Sequence, residues 1–166
     1  MTFSVRPART SDVAAVLGLI HPLVQEGILL GKERVVFYES IQEFLIAEDE
    51  QGNAVGCGAL HVMWEDLAEV RTLAVEAGWL RRGVGHAVLD GLERKAAALG
   101  IRRLFCLTFE VDFFTRHGFA PMPEEPMDPA LYAELVRSAD EGVAEFLDLS
   151  RVKANTLGNT RMLKNL

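Results

Sequence analysis

Cysteine is scarce: Cys57 and Cys106 are the only two in 166 residues, each inside an apolar run and without CxxC spacing. They read as buried free thiols in a reducing compartment, not as a disulfide framework. Histidine is almost as sparse. His21, His61, His86 and His117 show no metal-ligand spacing, and no metal is expected. Basic charge is in the minority, 17 Lys and Arg against 24 Asp and Glu, for a net charge of −7. An acidic chain of this kind is no general binder of nucleic acid or anionic membrane, since both need basic surfaces. No apolar run approaches the ~18 residues of a membrane span. The start, Met1-Thr2-Phe3-Ser4-Val5-Arg6, lacks the long apolar core of a signal peptide. Internal repeats and separating linkers are missing as well. These absences predict one cytoplasmic domain over residues 1–166, and a hydrophobic content of 49% supplies its core.

The most informative stretch runs from Leu73 to Leu89. Leu73-Ala74-Val75 reads as a buried strand, Leu80-Arg81-Arg82-Gly83-Val84-Gly85 as a tight turn, and His86 onward as an amphipathic helix. A helix N-terminus presents unpaired N–H groups and the positive end of the dipole, which together favour anions. Arg81 and Arg82 add forked donors suited to phosphate. The motif predicts a pyrophosphate cradle, with an ordinary strand-to-helix turn as the alternative.

Around it, Phe3 to Val5 suggests a first strand closed by Pro7, and Thr10-Ser11-Asp12 an N-cap for a helix carrying Val13, Val16, Leu17, Ile20 and Val24 on one face. Pro22 predicts a break or kink near His21. Ile28-Leu29-Leu30 forms an apolar loop, and Glu33 to Ser40 a second short helix. Phe44 to Glu48 and Ala54 to Val62 make a hairpin across Asp49 to Asn53, followed by a third strand from Glu69 to Val75. Gly56 and Gly58 mark a close backbone approach or a bend. A helix with Val84, Ala87, Val88, Gly91, Leu92, Lys95 and Leu99 in its stripe ends at Gly100, and Leu104 to Thr108 is the next strand. That strand–helix–strand unit demands a parallel pair and a right-handed crossover. Phe113 to Phe119 predicts a short helix closed by Gly118, then a strand. Pro121 to Pro129 reads as a loop, Leu131 to Ser138 as helix and Val143 to Leu149 as an alternating strand, and Lys153 to Leu166 shows little periodicity. The fold class is α/β: a mixed sheet, antiparallel at first and parallel at the crossover, flanked by helices.

With these residues in view, the chain resembles the Gcn5-related N-acetyltransferase (GNAT) family over most of its length. The family's R/Q-x-x-G-x-G/A turn aligns with Leu80-Arg81-Arg82-Gly83-Val84-Gly85, where both glycines match and Leu80 departs. Phe113-Phe114-Thr115-Arg116-His117-Gly118-Phe119 resembles its F-Y-x-x-x-G-F segment, with Phe114 in the tyrosine's place. A narrower likeness, to the acetyltransferase domain of bacterial N-acetylglutamate synthases, rests on Ile20 to Leu30, Glu69 to Val75, Leu104 to Thr108 and Thr160-Arg161-Met162-Leu163. It is a likeness to a short, stand-alone form without the kinase-like domain of longer synthases.

The resemblance implies acetyl-CoA as co-substrate and direct acetyl transfer to an amine in a ternary complex. Leu73, Ala74, Val75, Arg81, Arg82, Gly83, Val84, Gly85 and His86 are its expected acetyl-CoA contacts. Glu69 matches the family's carboxylate and is the candidate base, with Glu65 and Glu110 as rivals. Thr108 is the candidate to orient a water, a backbone N–H of Leu73 to Val75 would meet the oxyanion, and Cys106 is assigned to the core. Lys32, Arg71 and Arg161 are the candidate acceptor cations, and strict alternation puts Arg71 on the face of Glu69. The implied reaction is α-N-acetylation of glutamate, at the entry to arginine synthesis. Glutamine, another amino acid, a polyamine, a protein N-terminus, or a non-catalytic acetyl-CoA-binding module stay open as alternatives. A small-molecule amino-acid substrate is the expected partner, and a homodimer is compatible with this reading.

Overall fold

The computed structural model describes residues 1–123, 127–147 and 159–166. Its elements run β1 (Phe3–Pro7), α1 (Val13–Gln25), α2 (Arg34–Glu39), β2 (Phe44–Asp49), β3 (Ala54–Trp64), β4 (Leu67–Val75), α3 (Val84–Leu99), β5 (Arg103–Thr108), α4 (Val111–Arg116), β6 (Ala120–Pro121), α5 (Pro129–Leu135), α6 (Glu141–Phe146) and β7 (Thr160–Asn165). Seven strands form a mixed sheet in the order β1-β2-β3-β4-β5-β7-β6. The chain clusters into two compact units, one of residues 1–61 and 70–99, the other of residues 62–69 and 100–166.

In the first unit, β1 and β2 pair antiparallel from Phe3↔Asp49 to Pro7↔Leu45, and β2 pairs antiparallel with β3. The turn between β2 and β3 is tied by Asp49, whose carboxylate accepts from the Gln51 and Asn53 amides at 3.0 and 2.8 Å. Val13, Val16, Ile20, Phe37, Phe44, Ile46, Cys57 and Ala74 share one core. Asp12 does not cap α1 as its sequence suggests. Its carboxylate accepts two bonds from the Arg6 guanidinium, at 2.8 and 3.0 Å, and one from the Arg9 amide. That fork holds the Asp12 carboxyl below the usual carboxylate range.

Pro22 does not break α1, which runs unbroken to Gln25. It falls in the last turn, where a lost i→i−4 bond costs little cooperativity. Gly27 (φ = 73°) then closes the helix, with Gly27 N–H bonding Val24 O and Ile28 N–H bonding Leu23 O.

Two glycines let α3 lie directly on β3. A Cβ on Gly56 would stand 2.6 Å from Val84, and one on Gly58 would meet Val88, Leu73 and Leu92 at 2.8, 3.0 and 3.1 Å. The expected close approach is therefore present, and it fixes the helix that follows the glycine-arginine turn. The buried stripe of α3 differs in detail: Leu89 and Ala96 are buried, whereas Leu99 is 57% exposed at the helix end.

In the second unit, β4 and β5 run parallel through Leu67↔Arg103, Ala68↔Leu104 and Glu69↔Phe105. Asp66 anchors the start of this pair. Its carbonyl accepts from the Arg102 and Arg103 amides, and its carboxylate from the Arg103 guanidinium at 3.1 and 3.2 Å. Met63, Leu67, Phe105, Leu135, Val143 and Phe146 form the core here.

Two sequence expectations fail in this unit. Val143 to Phe146 is helical, not a strand, while Asp148 and Leu149 lie outside the described residues. All residues from Gly142 to Phe146 are buried, Glu145 included, so the alternation in the sequence does not mark a two-faced strand, and Asp140 starts a helix by capping at the Val143 amide, 3.1 Å away. The tail supplies a strand. β7 pairs antiparallel with β5, setting buried Met162 opposite Cys106, and its outer edge takes β6. A six-residue strand signals little by itself, and the long-range partner makes it. The stretch from 153 to 158 lies outside the described residues.

Gly58→Ala should lower the unfolding free energy by about 1–3 kcal/mol through overpacking against Val88 and Leu92. Denaturant titration checks this, with an unchanged midpoint contradicting the close-approach account.

Candidate active site

β4 contains a residue that no regular strand tolerates. Thr72 has φ = 56°, in the left-handed region that a β-branched side chain rarely enters. The strand is distorted there, one residue ahead of the Leu73-to-Val75 segment, and continues to Val75. Just past the end of β4, the Glu76 N–H bonds Val55 O of β3 at 2.9 Å. Between these points the amides of β4 are re-aimed relative to a regular ladder.

After β4, residues Ala77–Trp79 make one 3-10 turn, pinned by buried Trp79 edge-on to Phe3 at 6.2 Å. Arg81 (φ = 61°) and Gly83 (φ = 84°) are both left-handed, so the chain curls tightly just ahead of α3. Glycine at 83 meets that conformation without a Cβ penalty. The Ala87 N–H bonds Gly83 O at 3.0 Å, the opening i→i−4 bond of the helix. Helix geometry leaves the amides of Val84 and Gly85 ahead of that bond, pointing out of the N-terminus. Such a curl of backbone N–H groups can seat an anion. Arg82 folds back to hold Gly78 O at 3.1 Å, Arg81 is exposed, and Leu80 is 57% exposed.

The half-buried Lys32 and Arg71, the Leu73–Val75 segment and the Arg81–His86 turn belong to the first unit. Glu69, Thr108 and Arg161 belong to the second. Glu69 is 7% exposed on β4, opposite Phe105. Its rivals differ in setting: Glu65 and Glu110 are exposed. The Thr108 hydroxyl accepts from the Glu110 amide at 2.7 Å, which turns the chain out of β5. Arg161 is half-buried on β7 opposite Leu107. Phe114 is 5% exposed and edge-on to Phe113 and Phe119, a packing role in place of a hydroxyl.

Burial pushes the Cys57 thiol up to about 12. Cys106 rises further through burial and then the nearby Glu69 carboxylate. Neither thiol is a nucleophile at neutral pH. Among the described residues no group of three His, Cys, Asp or Glu could hold a metal ion, and no helix is long and apolar enough to cross a membrane. Sequence reading missed Thr72, because a left-handed residue in mid-strand leaves no mark on polarity or period.

Comparison with known proteins places this geometry. Residues 25–119 match the model of the Acetyltransferase (GNAT) family. The chain is 52% identical over 161 residues to the amino-acid acetyltransferase of Mycobacterium tuberculosis (strain ATCC 25618 / H37Rv), covering 96% of this chain and 92% of that protein. The crystal structure of Rv2747 from Mycobacterium tuberculosis in complex with CoA and NLQ superposes with a TM-score of 0.93 at 51% identity, covering 98% of this chain and 99% of the other. N-acetylglutamate synthase from Neisseria gonorrhoeae, complexed with coenzyme A and N-acetyl-glutamate, superposes with a TM-score of 0.78 at 27% identity. All of this chain is covered there but only 35% of the synthase, so the chain spans about a third of that protein's length. Motif, sheet and relatives agree: the chain belongs to the acetyltransferase (GNAT) family.

Proposed function

We propose that this enzyme, an acetyl-CoA-dependent N-acetyltransferase, acetylates the α-amino group of L-glutamate by direct transfer in a ternary complex. That reaction is the entry step of arginine synthesis. The observation that carries the choice of acceptor is the match of the whole chain to a synthase complexed with coenzyme A and N-acetyl-glutamate. The Ile20-to-Leu30 segment and the Thr160-to-Leu163 ending support it, because both lie outside the generic cofactor turn.

Acetyl-CoA fits the turn before α3. Left-handed Arg81 and Gly83 curl the backbone so that the amides through Val84, Gly85 and His86 face the pyrophosphate, which needs no particular side chain at Leu80. Arg81 and Arg82 supply nearby positive charge. An amine must be neutral to attack, and an α-ammonium has a reference pKa near ~8. Glu69 takes that proton, its carboxylate being shielded from bulk water. The amine nitrogen then bonds to the thioester carbon. The carbonyl oxygen becomes an oxyanion met by an N–H of the Leu73–Val75 segment, and the C–S bond breaks to release CoA as thiolate. Lys32, Arg71 and Arg161 offset the acceptor's two carboxylates within an acidic protein.

Purified protein with acetyl-CoA should release free thiol when glutamate is added, and not with spermine or peptides. Release with glutamine in preference to glutamate would overturn the acceptor, and none with any amine would overturn the enzyme. The protein's own thiols give no background, since with a thiol pKa of about 12 Cys57 stays protonated at assay pH, and Cys106 is pushed higher still. Both should react with an aromatic disulfide reagent only after unfolding in guanidinium. Glu69→Gln should lower kcat roughly a hundredfold with acetyl-CoA affinity nearly unchanged. An unchanged kcat removes Glu69 from the role.

A further inference from the structure

The left-handed Thr72 needs something to hold it. A β-branched residue in that region costs on the order of 1–3 kcal/mol and persists only where its surroundings enforce it. Cys57 on β3 is in position to do so. Its Sγ donates to Thr72 O at 3.5 Å across the two strands. One side chain on the neighbouring strand thus grips the carbonyl of the left-handed residue, immediately ahead of the Leu73–Val75 amides.

The grip is rigid for reasons of packing. Cys57 is fully buried in the core with Ile46, Ala59 and Ala74, and Ile46 is its register partner on β2. On either side, Gly56 and Gly58 bring β3 against α3 with no room for a Cβ. The strand carrying the thiol therefore cannot shift. At the far end of the segment the Glu76 N–H holds Val55 O. The thiol also keeps its proton, because burial pushes its pKa to about 12.

Resting on the oxyanion role given above to the Leu73–Val75 amides, we propose that Cys57 is a positioning residue for acetyl transfer: its thiol sets the Thr72 turn and so aims those amides. It forms no bond to substrate. Its part is to maintain a donor direction that a regular strand would not provide.

The test compares Cys57→Ala, which removes the grip, with Cys57→Ser, which restores an O–H donor. Ile46→Val serves as a packing control in the same core. Cys57→Ala should lower kcat about tenfold with the KM for acetyl-CoA within roughly twofold, and Cys57→Ser should recover most of that loss. Ile46→Val should lower stability with kcat unchanged. If the alanine variant does not fold, Cys57→Val keeps the bulk, drops the donor and carries the same comparison with serine. Amide hydrogen exchange in the substrate-free protein separates the two ideas. Faster exchange over the Leu73 to Val75 amides in the donor-less variant supports the grip, and unchanged exchange overturns it. Faster exchange with wild-type kcat removes the oxyanion assignment and with it the catalytic role of Cys57. Serine no better than alanine also overturns the proposal, since the effect would then be one of packing.

Discussion

β4 cannot run straight through Thr72, and much of the first unit is arranged around that constraint. A left-handed threonine distorts the strand, and its carbonyl takes a side chain of the neighbouring strand as partner. The neighbouring strand meets this with a Gly-Cys-Gly sequence. The cysteine serves the distorted strand, and the glycines admit α3 on the opposite face. Because α3 begins at the glycine-arginine curl, the packing that seats the helix also places its N-terminus. The distortion of the strand and the start of the helix are thus two ends of one packed arrangement.

Electrostatics follows a different logic in each place. Arg6 and Asp12 face each other in a two-bond fork, with Glu48 on the same guanidinium, so the charges are matched where water is mostly excluded. Arg103 and Asp66 form a half-exposed version that mainly fixes the register of the parallel pair. Glu69 is the buried carboxylate that reaches into the chemistry proposed here, and its charge is felt by Cys106. For the acidic amino acid proposed as acceptor, an acidic protein needs cations placed locally, which is the part proposed for Lys32, Arg71 and Arg161.

The departures from the family pattern have physical readings. Leu80 stands largely in solvent, so the anion seat proposed for the turn rests on backbone amides, whose direction comes from Arg81 and Gly83. Phe114 is enclosed by two other rings, which gives the segment a packing purpose where relatives of the family place a hydroxyl. A thiol with a reference pKa of about 8.5 leaves as thiolate without a strong acid. The proposed mechanism therefore needs no replacement for that hydroxyl.

The sequence alone determined the elements through β6, the two close-approach glycines and the glycine-arginine turn. Each is written in local terms, as a period of two or 3.6, a missing side chain, or a capping residue. Glu69, Arg71 and the turn before α3 entered as candidates through the family resemblance, and the roles given to them are proposals. Tertiary structure decided the rest. Pro22 stays within α1 because one turn and a Gly27 closure suffice after it. Glu141 to Phe146 is helical because Asp140 caps it, and the tail becomes a strand because β5 has an open edge. Most of all, the Thr72 turn and its thiol partner came from the fold. A backbone angle in mid-strand is set by what presses on it from fifteen residues away, and no local pattern of polarity records that contact.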